Sequence, residues 1–334
     1  MGTVAEKTKM QLLTNSSLTT FKTCPRKYYL QYRLGYVPAT EPEYFYIGTL
    51  FHSGLEAMCK VNENQLEAAL DCVRSLHAKS VKPDPYLIQK VVAMLEGYWN
   101  MYKDDGYGVM EVEKEFRAPL LNPETTQASR IYELGGKIDK IVQAPDGRKL
   151  NHESKTTSEE ISPEAEYWRK LSIDSQVSQY YIGAHAIGQE VEGCLYDVTR
   201  KPELRPLMAT PVEDRKYKKT GELYASQREN DETPEQYLER LRADIQSRPW
   251  YYYARKEVPR SKEDLSEYLF DVWQTAQTIR SYEIKDKWPR YTHSCVSAFG
   301  SKCAYFEFCT GQASLEDPTK FKKLENVHRE LTIK

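Results

Sequence analysis

Residues 135–155 constrain the fold more than any other part of the chain, because they predict a tight β-hairpin. Two runs with strand-like composition flank the turn sequence Ala144-Pro145-Asp146-Gly147. Proline suits the second position of a type I turn and glycine suits the left-handed position after it, which gives a three-residue loop with a bulge. This loop sets the register of the strands, so that Ala144 pairs with Arg148.

The predicted register brings two acidic residues together. Stepping back along both strands places Asp139 opposite Glu153, where two like charges should repel unless a cation lies between them. Lys155 projects from the same face as Glu153, within about 7 Å along the strand. Two carboxylates can hold Mg²⁺ or Mn²⁺, and a lysine can position a metal-activated water, which is the chemistry of phosphodiester hydrolysis. The alternative is an exposed hairpin with solvated acids.

The remaining pattern indicates an α/β protein. The chain has 334 residues, 40% of them hydrophobic, which is enough for one large domain or two small ones. Helical spacing precedes the hairpin, and helix and strand patterns alternate after it. The predicted segments are an amino-terminal helical segment (1–53), a helical region (54–110), the core with the hairpin (111–200), a basic loop and helix (201–260), a long helix with a cysteine cluster (261–315) and a tail (316–334).

The sequence predicts a cytoplasmic protein without membrane contact. No run of about 18 apolar residues is present, and the amino terminus does not combine a basic segment with an apolar one. Seven cysteines, an odd number, then favour metal ligands or core thiols over a disulfide framework.

Four of the cysteines stand near the two chain ends. Cys24 begins a predicted helix, and Cys295, Cys303 and Cys309 lie close together in the sequence. Clustered thiolates select an iron-sulfur cluster or zinc rather than magnesium. Spacing alone does not separate these two metals, and unrelated buried thiols are a third interpretation.

A local basic patch is the predicted contact with nucleic acid, because the formal net charge of -2 gives no global basic field. Residues 200–219 are rich in lysine and arginine, and Lys201 and Arg205 are the preferred DNA-binding candidates. Nearby aromatic residues, including 250–253, suit stacking on unpaired bases, which favours single-stranded DNA. A solvated loop with charged flanks is the alternative.

The spacing Gly136-x-x-Asp139 followed by Glu153-x-Lys155 resembles the active-site signature of the PD-(D/E)XK nuclease superfamily. The proline of that name is absent here. The resemblance implies an α/β fold with a restriction-endonuclease-like core, in which helices flank a mixed central sheet. It also implies that Asp139, Glu153 and the backbone carbonyl of Ser154 bind the metal.

RecB-like members of this superfamily carry two further motifs, and the chain resembles both. His52, at the end of Gly48-Thr49-Leu50-Phe51-His52, resembles the upstream histidine that completes the metal shell. Gln176 and Tyr180 resemble a Gln-x-x-x-Tyr motif, whose implied role is hydrogen bonding to the catalytic lysine region or to the DNA backbone. On a helix this spacing presents both side chains on one face. A structural histidine and an ordinary amphipathic helix are the alternatives.

The cysteine pattern resembles that of AddB-like and CRISPR-adaptation nucleases, in which one cysteine before the nuclease core and three after it bind a four-iron cluster. The resemblance implies a carboxy-terminal iron-sulfur subdomain, beside helical additions to the core. Its [4Fe-4S] ligands would be Cys24, Cys295, Cys303 and Cys309. The gap between Cys295 and Cys303 is wider than in the commonest form, and the candidate replacements for Cys295 are Cys59, Cys72 and Cys194.

The resemblance thus predicts a metal-dependent DNA nuclease, an exonuclease or end-processing enzyme acting on single strands or duplex ends. Protein partners in a DNA-processing complex are a further expectation. A catalytically silent DNA-binding or scaffold subunit and a zinc-binding interaction protein are the alternatives. The sequence contains no Gly-x-x-x-x-Gly-Lys-Ser/Thr loop, so we expect no P-loop ATPase in this chain.

Overall fold

A computed structural model describes residues 10–40, 43–80, 83–297, 300–329 and 331, with the backbone alone at 43–45. The start of the predicted amino-terminal segment, the last residues of the predicted tail and residues 298–299 between two of the candidate cysteines lie outside the described residues.

A mixed sheet forms the centre of the described chain, with β1, β4, β5, β6 and β7 in that order and β3 added beside β4. The β4 strand is parallel to β1 and antiparallel to β3 and β5, while β6 is parallel to β5 and antiparallel to β7. Outside this sheet, β2 pairs with β8. The strands are β1 (Gln11–Leu13), β2 (Tyr36–Pro38), β3 (Gly108–Leu121), β4 (Ala128–Gln143), β5 (Lys149–Thr157), β6 (Gly193–Arg200), β7 (Tyr253–Val258) and β8 (Phe321–Lys323).

Two groups of helices pack against the sheet, so the predicted α/β architecture with a mixed central sheet is confirmed. Helices α3, α4, α5 and α8 share one apolar core, and α1 and α10 contribute to another. None of the described helices combines the length and apolar character needed to cross a bilayer. The helices are α1 (Asn15–Thr23), α2 (Pro25–Tyr28), α3 (Glu43–Cys59), α4 (Gln65–Ala78), α5 (Pro85–Tyr102), α6 (Glu166–Lys170), α7 (Ser175–Ala186), α8 (Pro234–Ser247), α9 (Pro249–Tyr252), α10 (Lys262–Lys285) and α11 (Phe306–Cys309).

The hairpin between β4 and β5 has the predicted register. The Ala144 N–H donates to the Arg148 carbonyl over 2.8 Å, and Gly147 adopts a φ of 92°, the left-handed conformation that glycine tolerates without strain. The ladder then runs back from Gln143 with Lys149 to Lys140 with His152. Local turn chemistry therefore sets the alignment of the strands that carry the acidic residues.

One edge of β4 changes partners along its length. The β3 strand pairs with most of the opposite edge, with two irregularities in register, while on this edge β1 pairs with residues 132–134 and β5 with residues 140–143. Among the described strands none pairs here with residues 135–139. The buried Gln179 of α7 covers part of the gap, because its Nε2 donates to the Gly135 carbonyl over 2.8 Å. The strands β1 and β5 therefore separate from this edge of β4 beside Asp139, and we call this opening in the sheet the fork.

Close packing holds α7 over this fork. A Cβ atom at Gly183 would lie 2.5 Å from the Phe116 ring of β3, so only glycine permits the observed approach of helix and sheet. At the other end of α7 the Asp174 carboxylate accepts hydrogen bonds from the Gln176 and Val177 N–H groups, which caps the helix. These contacts determine where the first turn of α7 presents its side chains.

The carboxy-terminal segment packs against the amino-terminal segment. In the two-stranded sheet Val37 pairs with Lys322, and the apolar cluster beneath it contains Leu30, Tyr305 and Phe321. The Tyr305 hydroxyl donates to the Tyr36 carbonyl over 2.8 Å. The two ends of the described chain therefore form one packed unit.

Replacement of Gly183 by alanine should destabilise the protein by about 1–3 kcal/mol, because the new methyl group overlaps the Phe116 ring. Urea denaturation followed by circular dichroism measures the change. The matched control is Gly108→Ala, where a Cβ meets nothing within 4 Å, and its stability should change by less than about 0.5 kcal/mol. Equal stability of the two variants would contradict the packing described for α7.

Candidate active site

The two carboxylates of the hairpin lie where β4 and β5 separate. The last pair of the ladder is Lys140 with His152, and the same register continued by one residue puts Asp139 opposite Glu153. At this point the Asp139 Oδ2 atom accepts a hydrogen bond from the Ser154 N–H over 3.1 Å. The acidic side chains therefore stand at the end of regular strand pairing, where the strands leave space between them.

Glu153 is a buried carboxylate with only 1% of its surface exposed. Burial, followed by the charge of Asp139, raises the pKa of Glu153 to about 8, and the Lys155 ammonium opposes this rise. Lys155 contacts the Oε1 atom, whereas the Oε2 atom has no hydrogen-bond partner within the described part of the chain. An unpartnered buried carboxylate oxygen costs free energy, which is typical of a site that accepts another group.

Lys155 stays charged beside the two acids. Burial disfavours its ammonium form, but Glu153 and Asp139 outweigh burial and hold the pKa of Lys155 above the usual lysine range. About a third of the side chain (33%) is exposed to the adjacent cleft. A fixed positive charge therefore faces the cleft next to the carboxylates.

Gln176 and Tyr180 face the same acidic pair from the first turns of α7. The Gln176 Nε2 atom donates to Glu153 Oε1 over 2.9 Å and to the Tyr180 hydroxyl over 2.7 Å. Burial and then the charge of Glu153 raise the pKa of Tyr180 well above its usual value, so the phenol stays protonated. The structure thus brings the two residues into one hydrogen-bonded chain that ends on Glu153.

His52 approaches from the opposite side, on α3. Its Nδ1 atom lies 3.9 Å from Asp139 Oδ2. Burial lowers the pKa of His52 although Asp139 opposes the change, and 36% of the side chain is still exposed at the cleft. The ring is therefore neutral at physiological pH, which is the form that binds metals.

A cleft of about 920 Å³ opens beside His52, Asp139 and Lys155. Four more charged residues of its lining were not singled out in the sequence: Glu56, Glu113, Lys137 and Glu159. Glu56 follows His52 by one helical turn, so helical spacing would have indicated it. Lys137 precedes Asp139 by two positions on β4 and contacts Glu113, so strand alternation would have indicated it as well.

The two DNA-binding candidates lie in different environments. Lys201 lines the cleft, and its N–H donates to the Thr157 carbonyl over 2.7 Å at the end of β5. Arg205 is exposed and is not part of the cleft lining, and its carbonyl accepts a hydrogen bond from Arg240. The structure therefore brings Lys201, but not Arg205, to the predicted site.

The four candidate cluster cysteines lie in the same region of the fold, although no three of them have metal-binding geometry in the described chain. Cys24 is buried, Cys295, Cys303 and Cys309 are partly buried, and all four are free thiols. Burial raises the pKa of Cys309, and the other three cysteines add to this rise against the effect of Arg26. The four thiols are therefore within electrostatic range of one another, although they are separated by up to 285 positions in the sequence (309 minus 24).

The donor atoms around Asp139 fit a divalent cation. As the side chains stand, no group of three or more His, Cys, Asp or Glu residues has metal-binding geometry anywhere in the described ranges. The chemistry is nevertheless suitable, because Glu153 Oε2 lacks a partner among the described groups, Asp139 is partly exposed and His52 is neutral. Hard carboxylate oxygens with one imidazole suit Mg²⁺ or Mn²⁺.

A mixed sheet that forks at two carboxylates beside a lysine is the arrangement of a phosphodiester hydrolase. The family model of the PD-(D/E)XK nuclease superfamily matches residues 13–310, and the chain belongs to this superfamily. Membership implies a metal-dependent nuclease with DNA as substrate, and nucleases of this superfamily usually use Mg²⁺ or Mn²⁺.

Among solved structures, the chain is similar to the crystal structure of SSO0001, with 13% identity and a TM-score of 0.27 over 79% of this chain and 86% of that chain. No curated protein matches the sequence.

Binding of Mn²⁺ should release a proton at pH 6.5, because the Glu153 carboxyl, with a pKa of about 8, is protonated there and must ionise to bind the ion. Affinity should rise with pH up to about 8 and then level off. Isothermal titration calorimetry in buffers of different ionisation enthalpy counts the protons. Glu153→Gln should lose the binding, Asp146→Asn in the exposed turn should keep it, and affinity that is constant from pH 6 to 9 would contradict the assignment.

Proposed function

We propose that the protein hydrolyses phosphodiester bonds of DNA at the fork between β4 and β5, as an exonuclease or end-processing enzyme on single-stranded or frayed DNA. The observation that carries this proposal is the buried Glu153 carboxylate, which lies beside Asp139, contacts the Lys155 ammonium and has an oxygen without a partner in the described chain. Following the resemblance to RecB-like and CRISPR-adaptation nucleases, we place the activity in a DNA-processing complex in repair, recombination, phage or CRISPR-related DNA metabolism.

The residues that would hold Mg²⁺ or Mn²⁺ are Asp139, Glu153, the Ser154 carbonyl and His52. When bound, the cation would acidify a water molecule and polarise the scissile phosphoryl group. Lys155 contributes a fixed ammonium that orients a hydroxide and compensates negative charge on the phosphoryl oxygens. Burial of the Lys155–Glu153 contact strengthens this electrostatic effect, because little water screens it.

Gln176 acts as a positioning residue in this proposal. Its amide donates to Glu153 Oε1, the oxygen that Lys155 also contacts, and thereby leaves Oε2 as the open metal-binding atom. The Asp174 cap fixes the first turn of α7, and the Tyr180 hydroxyl accepts the second Gln176 hydrogen bond. The carboxylate is therefore held in one orientation before the metal binds.

The DNA strand would reach this site along the cleft that Lys201 and Lys137 line. Lysine side chains neutralise phosphates without selecting bases, which suits an enzyme that acts on ends regardless of sequence. Arg205 would contact the strand farther from the reaction centre, on the exposed segment that follows β6.

The four converging thiols support a [4Fe-4S] cluster with Cys24, Cys295, Cys303 and Cys309 as ligands. Four thiolates are the usual ligand set for such a cluster. Because the cluster would join the two ends of the fold, we assign it a structural role: a metal clip that closes a long loop stabilises the folded chain.

Asp139→Asn, Glu153→Gln and Lys155→Met should each lower the rate of DNA cleavage about 10²-fold or more, because each removes a charge at the reaction centre. Digestion of single-stranded and duplex DNA labelled at either end, with Mg²⁺ or Mn²⁺, measures the rate. The control Asp146→Asn removes a carboxylate from the exposed hairpin turn and should leave the rate unchanged. Persistent cleavage by all three variants would refute the site, and tight DNA binding without cleavage under any divalent metal would favour a silent scaffold subunit.

Anaerobically purified protein should be brown and absorb near ~400 nm through thiolate-to-iron charge transfer. Cys303→Ser should remove most of this absorbance, whereas Cys72→Ser on α4 should retain it. A colourless wild-type protein that contains stoichiometric zinc would contradict the iron-sulfur assignment and favour a zinc site. Metal content by mass spectrometry distinguishes the two results.

A further inference from the structure

A second cavity, of about 490 Å³, lies beside the active-site cleft, between α5 and the β4–β5 hairpin. We call it the tyrosine pocket, because Tyr98, Tyr102 and Tyr107 line it together with Trp99. Its size is within the range of about 300–1,000 Å³ that small-ligand pockets have. The active-site proposal assigns no role to it.

The tyrosine pocket is cationic, whereas the cleft is acidic. Lys103, Lys140 and Arg255 line the pocket with Asp105, and Arg255 is paired with Asp105 and with Asp197 behind it, so Lys103 and Lys140 supply the positive charge. The cleft lining instead contains four carboxylates and three lysines. An anion without a metal therefore finds a favourable environment in the pocket and an unfavourable one in the cleft.

The floor of the pocket is a buried polar network. Asp197 Oδ2 accepts hydrogen bonds from the Tyr98 hydroxyl over 2.7 Å and from Arg255 over 2.8 Å, and lies 3.3 Å from His152 Nε2. The His152 Nδ1 atom is buried and has no hydrogen-bond partner in the part of the chain that the structure describes. The His152 ring also lines the pocket, with 3% of the residue's surface exposed.

Lys140 contributes a positive charge to this floor. It is 8% exposed, and no hydrogen bond or ion pair to its ammonium is found among the described residues. A lysine is almost never this buried without a partner. Because Lys140 directly follows Asp139 on β4, and both residues line a small cavity that shares lining residues with the pocket and with the cleft, a group bound here lies next to the reaction centre.

We infer that the tyrosine pocket binds the phosphorylated end of the DNA strand that the adjacent site cleaves. This inference rests on the proposed function, and it identifies the pocket as the part of the protein that recognises a strand end. A terminal phosphate carries nearly two negative charges and can enter a closed pocket, whereas an internal phosphodiester carries one and is flanked by nucleosides on both sides. The partly exposed rings of Trp99 and Tyr107 suit stacking of the terminal base, whereas Tyr98 is buried and Arg255 covers the Tyr102 ring.

The test is binding of a short single-stranded oligonucleotide with a 5′-phosphate, a 3′-phosphate or neither, followed by fluorescence anisotropy without divalent metal. One phosphorylated form should bind the wild-type protein about tenfold more tightly than the unphosphorylated form. Lys140→Met should bring this ratio close to one. The matched control is Lys114→Gln, an exposed lysine of β3 outside both cavities, which should keep the wild-type ratio.

Two exposed positions keep the test independent of folding. Lys103→Gln removes a charge at the pocket, and Asn62→Glu adds a negative one, so each should lower the preference for the phosphorylated end. Equal binding of all three oligonucleotides by the wild-type protein, or an unchanged preference in Lys140→Met, overturns the inference. So does competition by inorganic phosphate at the oligonucleotide's own concentration, because the pocket would then bind a free anion.

These outcomes are separable from failure of the proposed nuclease. If the protein cleaves DNA but does not distinguish end phosphates, only the end-recognition inference is refuted. If it prefers a phosphorylated end but does not cleave under any divalent metal, the pocket assignment stands and the nuclease proposal is refuted.

Discussion

The structure depends on an interruption in strand pairing beside Asp139. The β4 strand pairs with β3 along most of one edge, but the other edge passes from β1 to β5 and leaves residues 135–139 without a strand partner among the described elements. Unpaired backbone groups inside a protein are costly, so other groups must satisfy them. The Gln179 amide does so at Gly135, and the Asp139 carboxylate accepts the Ser154 N–H where β5 diverges. The irregularity of the sheet and the placement of the acids thus have the same origin.

Two oppositely charged regions lie side by side because Asp139 and Lys140 are consecutive in β4. The acids that line the cleft are Asp139, Glu56, Glu113 and Glu159, and Lys155 compensates part of their charge. Lys140 and His152 instead face a pocket in which Arg255 is paired with two acids and the positive charge comes from Lys103 and Lys140. Burial lowers the pKa of His152 to about 4, and Lys140 adds to this effect, so the ring stays neutral. The cleft can therefore bind a metal cation while the pocket, a short distance away, binds an anion.

How far the sequence predicts this arrangement depends on the range of the interactions. Turn chemistry at residues 144–147 is local, and it gave the correct register of the hairpin. The capping boxes at Thr233 and Ser261 are also local, because each joins a hydroxyl residue to a polar side chain three positions later. By contrast, Gln179 lies within the Gln-x-x-x-Tyr motif at a position that the motif does not specify. Its contact with Gly135 joins elements 44 residues apart, which no local pattern shows.

The pairing of β2 with β8 has a consequence for how the chain reaches its folded state. These strands are separated by more than 280 residues, so their pairing closes a very long loop, and the entropic cost of that closure must be met before the small sheet gains its hydrogen bonds. Contacts of such high sequence separation slow folding. During synthesis, Tyr36 therefore cannot pair with its partner until the ribosome has added Lys323, and Leu30 lacks the Phe321 side chain for the same interval.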